Sequence, residues 1–233
     1  MGKTSLFRGY GTFVAEFFRR SHTTGAVLPS GPSLCRALAT YIDATPDERG
    51  VPRRETADES ATRVRRRVLE VGPGTGCVTR EIARRLGPGD TLELIECNPT
   101  FVASLHQMLE TDPILRTVAG RVRIHECYLQ EHKSDGQYDR IVSGLPLNNF
   151  SAELVADILA QFRRLALPNG TVSWFEYIAI RRMKGVVSFG VDRARLRGIT
   201  ASLEKVLHPH EFRRQAIIAN VPPAWVHHVR FDN

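Results

Sequence analysis

The stretch VLEVGPGTG, residues 68–76, concentrates the residue types best suited to holding a small molecule against backbone. Gly72, Gly74 and Gly76 alternate in it, letting the chain turn sharply and a ligand lie close to the peptide groups. The spacing is G-x-G-x-G, with Pro73 and Thr75 between the glycines. A dinucleotide fingerprint would need a further glycine where Cys77 stands, and a phosphate-binding Walker loop would need a Gly-Lys-Ser/Thr that is absent. Glu70 closes the apolar run before the loop. Glu96 closes the next one, in LIECNP, where a carboxylate can accept both hydroxyls of a ribose. Glycines alone would mark nothing more than a tight strand-to-helix turn; glycines followed by an acid at the end of the next strand point to a nucleoside-bearing ligand.

The elements that must carry these residues follow from the pattern around them. RVLEV (67–71), TLELIE (91–96), RVRIHE (121–126), YDRIVSG (138–144) and PNGTVSWFEYI (168–178) read as strands or a turn into a strand. TREIARRL (79–86), PTFVASLHQMLE (99–110) and SAELVADILAQFRRLA (151–166) read as helices, with Pro99 in a first turn and Ser151 as N-cap. A basic helical region follows at 193–207, then RRQAIIANV and WVHHVRF, two strands joined through Pro222-Pro223. Strands alternating with helices predict an α/β fold with a parallel sheet covered on both faces. Residues 43–66 are polar and charged, and read as a loop or linker between an N-terminal part, 1–42, and the domain proper, 67–233.

The set resembles the class I S-adenosylmethionine-dependent methyltransferases, whose first motif, E/D-x-G-x-G-x-G, Glu70 to Gly76 match in full. The resemblance over about 67–178 implies a Rossmann-like, seven-stranded, mostly parallel sheet ending in an antiparallel hairpin. It also implies S-adenosylmethionine as donor, S-adenosylhomocysteine as product, and cofactor contacts from Glu70, Gly72, Pro73, Gly74, Thr75, Gly76, Glu96 and Cys97. After the third strand, where many such enzymes carry an Asp near the adenine, this chain has HECYLQEH, so Glu126 or Cys127 occupies that neighbourhood.

The acceptor should lie beyond the fourth strand, at IVSGLPLNNF (141–150). Enzymes acting on flat bases place N/D-P-P-Y/F or N-L/I-P-Y there; here Ser143, Gly144, Leu145, Pro146 and Leu147 leave out both the leading amide or acid and the closing aromatic. Three segments in order are similar to bacterial phospholipid N-methyltransferases: TTGAVLPSG (23–31), SGLPL, and NVPPAWVHHV (220–229). That resemblance implies methyl transfer to the amine of phosphatidylethanolamine or an ornithine lipid. It places Thr24, Gly25, Ser143, Gly144 and Leu145 beside the transferred methyl. Tyr177, Glu176, Glu126 and His22 are candidates to receive the amine proton, and each reads equally well as a packed strand or loop residue.

The chain opens MGKTSLFRGYGTFVAEFFRR, in which Phe7, Tyr10, Phe13, Phe17 and Phe18 share a broad helical face and Arg8, Arg19 and Arg20 supply charge. With Leu6, Val14 and Lys3 it reads as an N-terminal helical extension lying on an anionic membrane surface, or packing its aromatics on the domain. A net charge of +7 in 233 residues agrees with an anionic partner, as does the basic set Arg181, Arg182, Lys184, Arg193, Arg195 and Arg197. No stretch is long and apolar enough to span a bilayer, no secretory signal is evident, and the four cysteines have no paired spacing. The expectation is a cytoplasmic enzyme peripheral to the inner face of the membrane, its oligomeric state open. No metal is expected, because His208, His210, His227 and His228 lack an obvious carboxylate or cysteine set. A nucleic-acid partner is not expected; the rival readings are an RNA methyltransferase similar to the rRNA adenine dimethyltransferases, and a membrane-binding protein without turnover.

Overall fold

The computed structural model describes residues 30–178 and 191–231. The expectations for His22, Thr24, Gly25, the aromatic and basic face of residues 7–20, and Arg181, Arg182 and Lys184 lie outside the described residues.

Helix α1 (Pro32–Leu38) enters first, then a short hairpin, β1 (Ala44–Pro46) and β2 (Pro52–Arg54), and α2 (Ala57–Thr62). The regular alternation follows: β3 (Arg67–Val71), α3 (Cys77–Ala83), β4 (Thr91–Glu96), α4 (Pro99–Thr111), β5 (Val122–Glu126), β6 (Tyr138–Ser143), α5 (Ala152–Leu165) and β7 (Ala166–Tyr177). Helix α6 (Val191–His210) leads into the final strands β8 (Glu211–Ile217) and β9 (Ala224–Arg230). Strands β3 to β9 form one sheet in the order β5-β4-β3-β6-β7-β9-β8, parallel from β5 to β7 and antiparallel at β7–β9 and β9–β8. This is the α/β sheet that the alternation predicted, with the seven strands and closing antiparallel hairpin that the resemblance implied. Local signals set its helix starts: Asn98 caps α4 through Thr100 N–H at 2.9 Å, with Pro99 at the first position, and Ser151 accepts from Leu154 N–H at 3.3 Å.

Alternation along the strands sends side chains to two faces. Leu69, Val71, Ile141, Val172, Trp174 and Val229 pack under α5 and α6. Val68, Leu92, Leu94, Val142, Phe175 and Val226 pack on the other face against α1, α3 and α4. Leu34, Leu38 and Ile42 belong to that second core, so the described end of the N-terminal part is built into the sheet's packing.

Residues 43–66 hold the β1–β2 hairpin and α2, where the sequence suggested a polar loop. Asp47 makes the hairpin turn by accepting from the amides of Arg49 and Val51, at 2.9 and 2.7 Å, and Tyr41 hydroxyl closes it on Gly50 carbonyl. Thr56 and Glu59 form a reciprocal capping box on α2. Partners distant in sequence do the rest. Asp90, fully buried, accepts a two-pronged bond from Arg63 at 2.8 and 2.6 Å and the amides of Arg66 and Gly87, each at 2.8 Å. Glu55 pairs with both Arg63 and Arg66.

Burial pushes the Asp90 carboxyl up, but the Arg63 fork and the two amides outweigh it and hold the group below the ordinary range. Its stabilisation is therefore present above the unfolded value of 3.8 and is lost as pH falls through the lower folded value. Asp90→Ala should cost about 3–5 kcal/mol, because it breaks the ion pair at a buried carboxylate and leaves the amides of Arg66 and Gly87 without their acceptor. Urea unfolding at neutral pH measures this, and the difference from the parent protein should shrink on acidification.

Candidate active site

The carboxyl ends of the central strands meet where strand order reverses, between β3 and β6. Val71 pairs with Ile95 on one side and Ser143 on the other, and Glu96 with Glu126 at the edge. Gly72 N–H donates to Ile95 carbonyl and Gly144 N–H to Val71 carbonyl, each at 2.9 Å, so the loops after β3 and β6 are held side by side. A β-carbon on Gly144 would lie 2.5 Å from Gly72 carbonyl oxygen, and one on Gly72, at φ +70°, would lie 2.5 Å from Leu145 Cδ2. Gly74 differs. At φ +54° a β-carbon on it would meet nothing within 4 Å, so this peptide faces open space.

One acid is bonded to this loop and a second is enclosed behind it. Glu96 is buried, its oxygens accepting from Gly74 N–H at 3.1 Å and Asn98 N–H at 2.9 Å. Backbone amides thus fix the direction of this carboxylate beside Gly74. Burial raises its proton affinity, against the pull of these amides. Glu70 is fully buried, and neither of its oxygens has a hydrogen-bonding partner at bonding geometry among the described residues. Burial pushes its carboxyl up to about 8, with the nearby Thr79 hydroxyl pulling the other way and the charge of Glu96 adding to the rise.

The other residues singled out in the sequence divide by location. Ser143 is buried, its hydroxyl accepting from Leu145 N–H at 3.2 Å. Cys97 and Cys127 follow the paired ends of β4 and β5 and pack on the core under α5, and Glu126 is exposed at the edge. All four cysteines are free thiols. Glu176 and Tyr177 lie where β7 runs past its last pairing with β6, Ser173 to Val142, toward the same pole of the sheet. Both are almost fully buried. Tyr177 is pushed up to about 12 by burial. Glu176 sits 3.4 Å from His227 Nε2, whose Nδ1 bonds Glu211 at 2.6 Å. His227 thus has the carboxylate partners that its sequence neighbourhood did not show. Burial disfavours its charge, but the two acids outweigh burial and raise its proton affinity. His228 points to the other face, bonded to Ser173 hydroxyl at 2.8 Å, and burial pulls it down to about 3.

The structure also joins two motifs from opposite ends of the chain. Gly31, closing TTGAVLPSG, donates its amide to Asn220 Oδ1 at 2.9 Å, and Asn220 opens NVPPAWVHHV. Pro223 carbonyl accepts from Ile178 N–H at 2.8 Å, fastening both to the end of β7.

Residues 68–170 match the family described as a methyltransferase domain. The chain is 30% identical over 159 residues to the ornithine lipid N-methyltransferase of Singulisphaera acidiphila, a match covering 68% of this chain and 73% of that one. The chain belongs to the class I S-adenosylmethionine-dependent methyltransferases. Among solved structures, the fold is similar to an O-methyltransferase from Bacillus cereus in complex with S-adenosylhomocysteine, with a TM-score of 0.58, 15% identity and coverage of 94% of this chain and 91% of that chain. It is also similar to the N-methyltransferase NodS from Bradyrhizobium japonicum in complex with S-adenosylhomocysteine, with a TM-score of 0.53, 13% identity and coverage of 74% and 81%.

The pole of this methyltransferase fits its donor. Gly74 leaves the space a side chain would fill, Glu96 is held in direction by fixed amides, and Glu70 keeps a buried carboxyl without a bonded partner. Sequence reasoning passed over Thr79 and Asn149. Thr79 is buried on α3 near Glu70. Asn149 is buried in the loop after β6 with its Nδ2 unpaired among the described residues; the asparagine pair closing the apolar run SGLPLNNF was the available signal.

Three substitutions test the site by calorimetry with S-adenosylhomocysteine and by thermal melting. Glu96→Gln should weaken binding about 10- to 100-fold, the worth of hydrogen bonds to a charged group. Gly74→Val should melt lower by only the left-handed strain of about 1–2 kcal/mol yet bind little, whereas Gly72→Ala should mainly lose stability through its clash with Leu145. Glu70 carries a folded proton affinity above its ordinary 4.5, so ligand-free stability should fall as pH rises from about 5 through about 8. Because His227 titrates with the same sign, the readout is the difference made by Glu70→Gln, which should flatten that part of the curve.

Proposed function

We propose that this methyltransferase moves methyl groups from S-adenosylmethionine to the amine of a membrane aminolipid, phosphatidylethanolamine or an ornithine lipid. The observation that carries the reading is the 30% identity, over 68% of the chain, to an ornithine lipid N-methyltransferase. The acceptor loop agrees with it. Leu145, Leu147 and Phe150 are buried, and Phe150, the loop's only aromatic, is spent on the core beside Val155 and Trp174. No stacking ring from this loop is left for a nucleic-acid base.

In this reading Gly72–Gly76 and Glu96 hold the donor, Glu70 lies behind the loop, and Ser143 to Leu145 border the acceptor. The bound donor supplies an activated methyl on a sulfonium, so the protein's task is alignment in a dry pocket. The acceptor nitrogen must first lose a proton. A lipid amine resembling lysine, near pKa ~10.4, is neutral at pH 7 at a cost of about 4–5 kcal/mol. Tyr177, with its pKa raised to about 12, stays protonated at neutral pH and offers the amine a neutral hydrogen bond. Glu176 is engaged with His227. The nitrogen lone pair then forms the new N–C bond while the C–S pair returns to sulfur. The first twenty residues, basic and aromatic, are read as the element that brings the enzyme to the inner membrane face, with association rather than insertion as the consequence.

The test is transfer of labelled methyl to vesicles containing phosphatidylethanolamine or ornithine lipid, each with and without anionic lipid, with ribosomal RNA run in parallel. Label in the lipid phase, stimulated by anionic lipid, is the expected result. Label only in RNA would sink the lipid assignment. With the amine's own deprotonation limiting, the rate at subsaturating lipid should rise about tenfold per pH unit from 7 toward 9.

A further inference from the structure

The opposite pole of the sheet, at the amino ends of β3, β4 and β5, holds a cavity of about 380 Å³. Five of its lining residues are arginines: Arg65, Arg66, Arg67, Arg121 and Arg123. Only Glu93 and Asp135 oppose them within the lining, and both are taken up by Arg67, at 2.9 and 2.5 Å. Arg66 is paired with Glu55. Arg121 gives its guanidinium to two neutral carbonyls, Gly87 and Asp90, each at 2.8 Å, which orient it without cancelling its charge. Arg65 and Arg123 are exposed and make no ion pair among the described residues. Three guanidinium charges therefore converge on one concavity without a carboxylate of their own.

The floor is open as well as charged. A β-carbon on Gly120 would meet nothing within 4 Å, and its backbone is not in the left-handed region. Arginine is the side chain suited to forked recognition of phosphate oxygens, and mutual repulsion among unpaired guanidiniums is relieved by a multiply charged anion. The volume suits one or two phosphate groups rather than a nucleic-acid helix. The neighbouring cluster of Glu93, His125 and His132, with ligating atoms within 4.8 Å of one another, is a poorer place for a metal cation. Its carboxylate is shared between Arg67 and His125, and His132 bonds Tyr138 hydroxyl.

We propose that this arginine cavity is a phosphate-binding site, separate from the methyl-transfer pole, that takes a phosphomonoester or diphosphate group. Two sources share that chemistry: an anionic lipid headgroup and a free phosphate metabolite.

The test uses the full chain and inorganic pyrophosphate, titrated by calorimetry at low salt. Saturable binding that weakens as salt is raised is expected. The double substitution Arg65→Ala/Arg123→Ala, at exposed positions, and Gly120→Phe, which plugs the cavity without changing charge, should each weaken binding at least about tenfold, the scale of lost charge-assisted bonds. Melting temperature and S-adenosylhomocysteine affinity confirm that each variant is folded. Absence of pyrophosphate binding, or equal binding by the parent and both variants, would overturn the proposal, as would binding of an RNA duplex in place of pyrophosphate. Co-sedimentation with phosphatidic acid vesicles separates the sources. Variant-sensitive vesicle binding assigns the headgroup, and pyrophosphate binding without it assigns the soluble phosphate. None of these readouts depends on which acceptor is methylated, so the lipid reading and this site can fail independently.

Discussion

The catalytic pole depends on one contact in which two loops come together with no room between them. Gly144 donates to the last carbonyl of β3 and stands so near Gly72 that neither position tolerates a side chain. That contact fixes how the loops after β3 and β6 stand relative to each other. The open face of Gly74 and the tethered Glu96 follow from it, because Gly72 is also bonded to the end of β4 and cannot shift independently. Alignment is the main thing a protein contributes to attack on an already activated methyl, and here it is built from backbone, the stiffest material available.

Most of this pole was legible in the sequence. Its signals are local: alternate glycines, an acid at the end of each strand, and the Ser151 cap three residues from the amide it satisfies. What was not legible depends on partners brought from far away. The stretch 43–66 looks like solvent-loving linker because its charges are visible and their partners are not; Asp90, which orders it, lies 27 residues beyond Arg63. Likewise Glu176 reads as a candidate proton acceptor until β9 lays His227 beside it. Periodicity gives the face a residue takes on its own strand, but not what the adjoining strand places opposite.

The two ends of the sheet are electrically unlike. At the carboxyl ends Glu96 is bonded to the glycine loop and Glu126 is paired with Glu96 in register, acids suited to a cationic sulfonium nucleoside. At the amino ends arginine outnumbers acid five to two around the cavity.

The N-terminal elements are finished by the last ones made. Tyr41 packs edge-on against Phe212 and His228, Gly50 carbonyl accepts from Arg213, and Gly31 is bonded to Asn220, 189 residues later. During synthesis, α1 and the β1–β2 hairpin emerge early and must wait, apolar side chains uncovered, until the closing strands leave the ribosome. The sheet can begin assembling from β3 onward, but α1 and the hairpin are covered only once β8 and β9 have been made. Loss of β8 and β9 would therefore strip the cover from Tyr41 and the β1–β2 hairpin rather than merely shorten an edge.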